Sequence, residues 1–140
     1  RRATIHLLLS YVEEHYAEKL SLEDLADYAQ YNRTYVSTLF KQMVGINFHE
    51  YLTRVRFQHA LNDLTYTNEN LTDIALKNGF PDLKTLTARF RSTFQRTPAQ
   101  YRAALKPDEV LYDKVRQFLD PQDMVLRKKL GEYAKTGIIK

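Results

Sequence analysis

Residues 70–102 read NLTDIALKNGFPDLKTLTARFRSTFQRTPAQYR. Leu71, Ile74 and Ala75 make an i, i+3, i+4 apolar stripe, which predicts a short amphipathic helix. Asn70 stands where a side chain can cap that helix, and Asp73 puts negative charge in its first turn, where the dipole favours it. Gly79 can end the helix in the left-handed conformation that a Cβ resists. Phe80 then turns inward and Pro81-Asp82 opens a second helix. That helix carries Leu86 and Phe90 on one face, with Lys84, Thr85, Ala88 and Arg91 on others. Thr97-Pro98 announces a third. Helix, short Gly-bearing turn, helix is the outline of a helix-turn-helix, whose second helix can lie in a DNA major groove.

The same plan stands earlier in the chain. Ser21-Leu22-x-Asp24-Leu25-Ala26 matches Asn70-Leu71-x-Asp73-Ile74-Ala75 at an offset of 49, and Tyr31 matches Phe80. After the turn the offset becomes 50: Phe40-Lys41 matches Phe90-Arg91, and Tyr51 matches Tyr101. The chain therefore reads as two copies of one unit, the second with a turn one residue longer. In the first copy, Ser21 gives a capping-type signal for a helix over residues 21–29. A helix over 33–44 follows, with Val36, Leu39, Phe40 and Met43 expected inward and Gly45 as its stop.

Residues 4–16 read as an amphipathic helix before the first copy, with Ile5, Leu8, Leu9, Val12 and Tyr16 at helical spacing. Between the copies, Asn47 can cap a longer helix over about residues 47–65, spanning roughly 28 Å. Phe48, Tyr51, Leu52, Val55, Ala60, Leu61 and Leu64 are its apolar positions. Arg1-Arg2 stand almost against the first helix, so the chain reads as a cut into a longer one. Residues 106–140 differ in kind. They suggest two further helices separated by Pro121, with no third helix-turn-helix.

Composition limits the alternatives. The chain has 140 residues, enough for one domain or two very small ones, and four Gly and four Pro leave an all-α fold as the expectation. Cysteine is absent, which excludes disulfides, thiolate zinc sites and thiol catalysis and fits a cytoplasmic home. No apolar run reaches the length of a membrane span. His6, His15, His49 and His59 show no ligand spacing, and no nucleophile–base motif, P-loop or dinucleotide fingerprint is present. No enzyme, metal or cofactor is expected. The net charge of +4 is uneven: residues 1–70 hold seven Lys/Arg against nine Asp/Glu, and residues 71–105 hold six against two. Such a local surplus suggests a polyanion partner, or a solvated basic face.

Together these residues carry a family likeness. Residues 5–105, about 100 of the 140, resemble the DNA-binding domain of AraC/XylS-type transcription regulators. The matching signals are Ser21-Leu22-x-x-Leu25-Ala26, Ser37-x-Leu39-Phe40-Lys41-x-x-x-Gly45, Arg56-x-x-x-Ala60-x-x-Leu64, Ile74-Ala75-x-x-x-Gly79-Phe80, Phe90-Arg91 and Thr97-Pro98-x-x-Tyr101-Arg102. The resemblance implies seven helices in two helix-turn-helix subdomains, at about residues 4–46 and 66–105, joined by the helix over 47–65; residues 106–140 would be a helical extension. It implies double-stranded promoter or operator DNA as partner, with both recognition helices in successive major grooves about one DNA turn, roughly 34 Å, apart. It further implies an activator in the bacterial cytoplasm, associated with the nucleoid through DNA, with RNA polymerase as a partner and a sensing domain N-terminal to this chain.

The residues expected at DNA follow from the outward faces. In the first recognition helix they are Arg33, Thr34, Ser37, Thr38 and Lys41; in the second, Leu83, Lys84, Thr85, Ala88 and Arg91. Threonine and serine can meet base edges, while arginine and lysine can hold phosphates. Arg89 and Arg91 read as contacts to the DNA backbone or as intramolecular partners, and Arg102 as a phosphate contact or a structural salt bridge. The sequence departs from the family at Thr38 and Ala88, where arginine is frequent, and at Gln95, where a glycine is usual. The alternative from another class is a helical protein-interaction module without DNA binding.

Overall fold

The computed structural model describes residues 1–105; the two helices expected in the extension lie outside them. The described residues form helices only: α1 (Arg2–His15), α2 (Leu22–Ala29), α3 (Arg33–Val44), α4 (Phe48–Tyr66), α5 (Leu71–Lys77), α6 (Leu83–Phe94) and α7 (Pro98–Ala103). Local chemistry sets most of the boundaries. Ser21 and Asp24 form a reciprocal capping box at the start of α2: the Asp24 amide donates to Ser21 Oγ at 3.1 Å, and the Ser21 amide donates to Asp24 Oδ2 at 2.8 Å. Asn32, Asn47, Asn70, Asp82 and Thr97 cap α3 to α7 in the same way, each accepting from an amide three residues on. Hydrogen bonds from Ser21 hold the Asp24 carboxyl below its ordinary range, and those from Thr85 do the same to Asp82.

The helices enclose two cores. Ile5, Leu8, Val12, Leu25, Ala26, Val36, Leu39 and Phe40 form the first, closed by Phe48 and Leu52 of α4. Phe57, Ala60 and Leu64 of α4 join Ile74, Ala75, Phe80, Leu86 and Phe90 in the second. The long helix thus serves both. With 3.6 residues per turn, Phe48 and Leu52 lie within about 40° of each other, and Phe57, Ala60 and Leu64 lie roughly 120–180° round from Phe48. One end of α4 feeds one core and a different face of its other end feeds the second.

Two residues depart from the sequence reading. Met43 was expected inward and is 41% exposed: it shares the Val36–Leu39–Phe40 face but lies one turn further along α3, outside the core cluster. Tyr31 and Phe80 occupy equivalent turns, yet Phe80 is buried while Tyr31 is 45% exposed and packs against the ring of Tyr35. A phenol keeps its hydroxyl in water there, whereas a phenyl ring gains by leaving water.

Candidate nucleic-acid interface

α3 is anchored by its inner face. Val36, Leu39 and Phe40 are buried, and Phe40 meets Phe48 and Tyr51 edge-on. Everything expected outward is exposed: Arg33, Thr34, Ser37, Thr38 and Lys41. Thr34, Ser37, Thr38 and Lys41 stand at i, i+3, i+4 and i+7, one continuous stripe along the helix. Arg33, at the head of α3, leans toward Glu23 of α2 at 3.6 Å, with both side chains largely exposed.

α6 repeats this at an offset of 50. Leu86 and Phe90 are buried, and Phe90 lies against the rings of Phe57, Phe94 and Tyr101. Its stripe is Lys84, Thr87, Ala88 and Arg91, with Thr87 half-buried and the other three exposed. Thr87 was missed in the sequence, although its place 50 residues after Ser37 was the available signal. Leu83 is half-buried and packs on the second core. Thr85 is exposed, but its hydroxyl donates to Asp82 Oδ1 at 2.7 Å and its amide to the same oxygen at 2.7 Å. These two residues seat the start of α6; the stripe itself begins at Lys84.

The basic surplus of this half divides into two groups. Arg89 forks onto Glu50 of α4, Nη2 to Oε1 at 2.7 Å and Nη1 to Oε2 at 3.4 Å. Arg102 donates to the main-chain carbonyls of Leu64 and Glu69 at 3.1 and 2.6 Å. Lys77 reaches Glu69 at 2.8 Å and Asp63 at 3.4 Å. Among the described residues, Lys84, Arg91 and Arg96 form no salt bridge or hydrogen bond and remain on the surface. In the first half Lys41 is exposed in the same way. On α3 and α6 the cations left to a partner are therefore Lys41, Lys84 and Arg91 of the two stripes, with Arg96 just beyond.

A joint holds the halves together. Arg56 of α4 donates from Nε to the carbonyl of Tyr16 at 2.7 Å and from Nη2 to that of Glu18 at 2.8 Å, gripping the chain after α1. Gly79, in the turn between α5 and α6, closes over the same guanidinium. A Cβ at Gly79 would lie 2.5 Å from Arg56 Nε and 2.7 Å from the Tyr16 carbonyl oxygen. Burial depresses the Arg56 pKa, and the two carbonyls accept from its Nε and Nη2. His59 of α4 also stacks on Tyr16, ring centroids 4.0 Å apart, and bonds Glu13 of α1 at 2.6 Å. Among the described residues no histidine and carboxylate group has the arrangement to hold a metal, and no helix is long and apolar enough to cross a membrane.

A family model for a helix-turn-helix domain matches residues 25–104. An uncharacterized HTH-type transcriptional regulator of Staphylococcus aureus (strain COL) is 39% identical over 98 residues, which are 70% of this chain and 13% of that protein. The chain thus spans a small part of that relative's length. A transcriptional regulator from Chromobacterium violaceum, described as an AraC-type DNA-binding domain-containing protein, has a similar structure: TM-score 0.68 at 28% identity, covering 73% of this chain and 91% of that one. The DNA-binding domain of AdpA, a global transcriptional factor solved in complex with a target DNA, gives a TM-score of 0.67 at 26% identity, covering 71% of this chain and 89% of that one.

Proposed function

This chain belongs to the AraC-type helix-turn-helix regulators, and we propose that it binds double-stranded DNA sequence-specifically, with α3 and α6 in successive major grooves. One observation carries this reading: both helices bury one face and present an outward stripe at the same register, each ending in a free cation, Lys41 or Arg91. Such a stripe can meet base edges with its N-terminal and middle residues and a phosphate with the cation that ends it. The rigid α4 and the Arg56–Gly79 joint support a fixed spacing between the two helices before DNA is met. A single chain then covers two groove segments without a palindromic site.

In this reading Thr34, Ser37 and Thr38 face base edges from α3, and Lys84 and Ala88 do so from α6. Arg33, Lys41 and Arg91 hold phosphates. Leu83 and Thr85 keep the head of α6, and so Lys84, in position. No step of chemistry is asked of the protein, and an enzyme reading has no support in a family of DNA-binding regulators. The family likeness adds an activator role with RNA polymerase as second partner. A promoter–reporter fusion tests that: its output rises on expression of this chain for an activator and falls for a repressor.

The DNA reading is tested by a band-shift series on duplexes selected from a random pool, across a range of salt. Log affinity should fall linearly with log salt, with a slope of roughly −0.9 for each phosphate held. Binding indifferent to salt, or no binding to any duplex, overturns the reading in favour of a protein-interaction module.

A further inference from the structure

The two stripes differ in what they offer a base. Before its terminal Lys41, the outward stripe of α3 presents Thr34, Ser37 and Thr38: small side chains, two with a methyl group, all exposed; Tyr35, also exposed, lies off the stripe against the ring of Tyr31. Thr34 and Thr38 stand four residues apart, one above the other on the helix. Their hydroxyls form no hydrogen bond among the described residues. Hydroxyls elsewhere are often spent inside the protein: Thr85 on Asp82, and Ser92 and Thr93 on the carbonyl of Arg89. In α6, Ala88 takes the place of Thr38 and presents a bare methyl. The arginine at its side, Arg89, turns away to Glu50. Neither stripe therefore carries in its middle the guanidinium fork that commonly reads guanine.

We propose that Thr34 and Thr38 of α3 and Ala88 of α6 read thymine through its C5 methyl group, so that the sites bound are rich in A·T pairs where these residues lie. This rests on the DNA reading above and narrows it. The major-groove edge of thymine shows a methyl beside the O4 acceptor. A threonine meets both: its methyl packs on the thymine methyl, and its free hydroxyl donates to O4. Alanine supplies the packing alone. Lys84, at the head of its stripe in the place of Thr34, is left as the cation inside either stripe that can reach a guanine edge.

The test uses the full chain and duplexes selected from a random pool, resynthesised with deoxyuridine for thymidine one position at a time. Deoxyuridine keeps the base pair and deletes only the methyl. Affinity should fall about fourfold for each methyl that is packed, the effect of taking one buried carbon group out of contact. The Thr38→Ser variant, which keeps the hydroxyl and loses the methyl, should no longer discriminate thymidine from deoxyuridine at its own position. Duplexes bound equally well with either base at every position overturn the thymine reading and leave DNA binding standing. A selection that returns guanines opposite both stripe centres also overturns it. A selection that returns no duplex overturns both readings.

Discussion

The two halves follow one plan and differ in how their turns are built. In the first, α2 ends at Gln30 in the left-handed region and three residues lead to α3; the aromatic of the turn, Tyr31, stays in water. In the second, five residues separate α5 from α6, Gly79 takes the left-handed conformation, and Phe80 enters the core. The second turn is also the one that touches the other half, through Arg56 and the Tyr16 carbonyl. A repeat need only conserve what its own core requires. The copy that also forms the joint acquires a glycine and a longer turn, and the copy that does not is free to expose its aromatic.

That contrast gives the largest expected effect. Gly45 and Gly79 share φ of 91°, a conformation that costs a residue with a Cβ about 1–2 kcal/mol. At Gly45 a Cβ would meet nothing within 4 Å, so Gly45→Ala should cost about 1 kcal/mol. At Gly79 a Cβ collides with Arg56 and with the main chain of Tyr16, which adds an overpacking cost of about 1–3 kcal/mol. Gly79→Ala should therefore lower stability by about 3 kcal/mol in urea denaturation. Equal losses at the two glycines would mean that the joint yields freely.

The stripes supply the next largest effect. Removing Lys84 should change the preferred sequence and cost about 1–2 kcal/mol on the preferred site, whereas Lys41→Ala should weaken all duplexes alike and shallow the salt slope by about one phosphate. If Lys84→Ala left the selected site unchanged, its role would match that of Lys41, and the halves would differ less than their stripes suggest.

A smaller effect lies in the Glu50–Arg89 fork, which ties α6 to the start of α4. Hydrogen bonds from Arg89 and then Arg54 hold the Glu50 carboxyl below its ordinary range. A carboxylate whose folded pKa is depressed stabilises the fold above its unfolded pKa, about 4.3, and loses that contribution as pH falls through the folded value. Glu50 is about a third exposed, so solvent screens the pair and about 1 kcal/mol is a fair size for the loss in Glu50→Gln at neutral pH. The variant should also show a shallower loss of stability between about pH 5 and 3, measured by thermal unfolding. An unchanged acid limb would remove the fork from the forces that set α6.

What the sequence made legible was local. Ser21, Asn47, Asn70, Asp82 and Thr97 announce helix starts because a cap is a contact over three residues, and the repeat exposed both helix-turn-helix units because the same residue types recur in order. Distant pairings were not legible. Arg56 finds the Tyr16 carbonyl 40 residues away and Arg89 finds Glu50 39 residues away, and no spacing rule connects such positions. Phe57 escaped for another reason: α4 serves two cores on different faces, so no single apolar stripe describes it. Asn78, polar by type, is almost fully buried because its amide donates to Asp63 at 2.7 Å and to the Ile74 carbonyl at 2.8 Å. The outward exposure of the α3 residues was legible in full. Leu83 read as outward by periodicity and is half-buried on the second core, while Thr85 is exposed with its hydroxyl turned to the cap, Asp82.

The smallest effect tests how far the halves have diverged at their helix ends. α3 stops at Gly45 and α6 at Gln95, 50 residues on, and both residues are left-handed, with φ of 91° and 57°. Each donates its amide to the carbonyl four residues back, at 2.9 Å to Lys41 and 2.8 Å to Arg91, so the stop has the same geometry in both. Gln95 bears the left-handed cost that glycine escapes, and its side-chain bond to the Ser92 carbonyl, at 3.4 Å and exposed, returns little. Gln95→Gly should relieve about 1–2 kcal/mol of backbone strain and lose about 0.4–1 kcal/mol through a freer unfolded chain, for a net gain near 0.5 kcal/mol in urea denaturation. The reverse exchange, Gly45→Gln, should lose about 1 kcal/mol, as Gly45→Ala does. A loss on Gln95→Gly would mean that the glutamine side chain contributes more at this turn than its one long hydrogen bond accounts for.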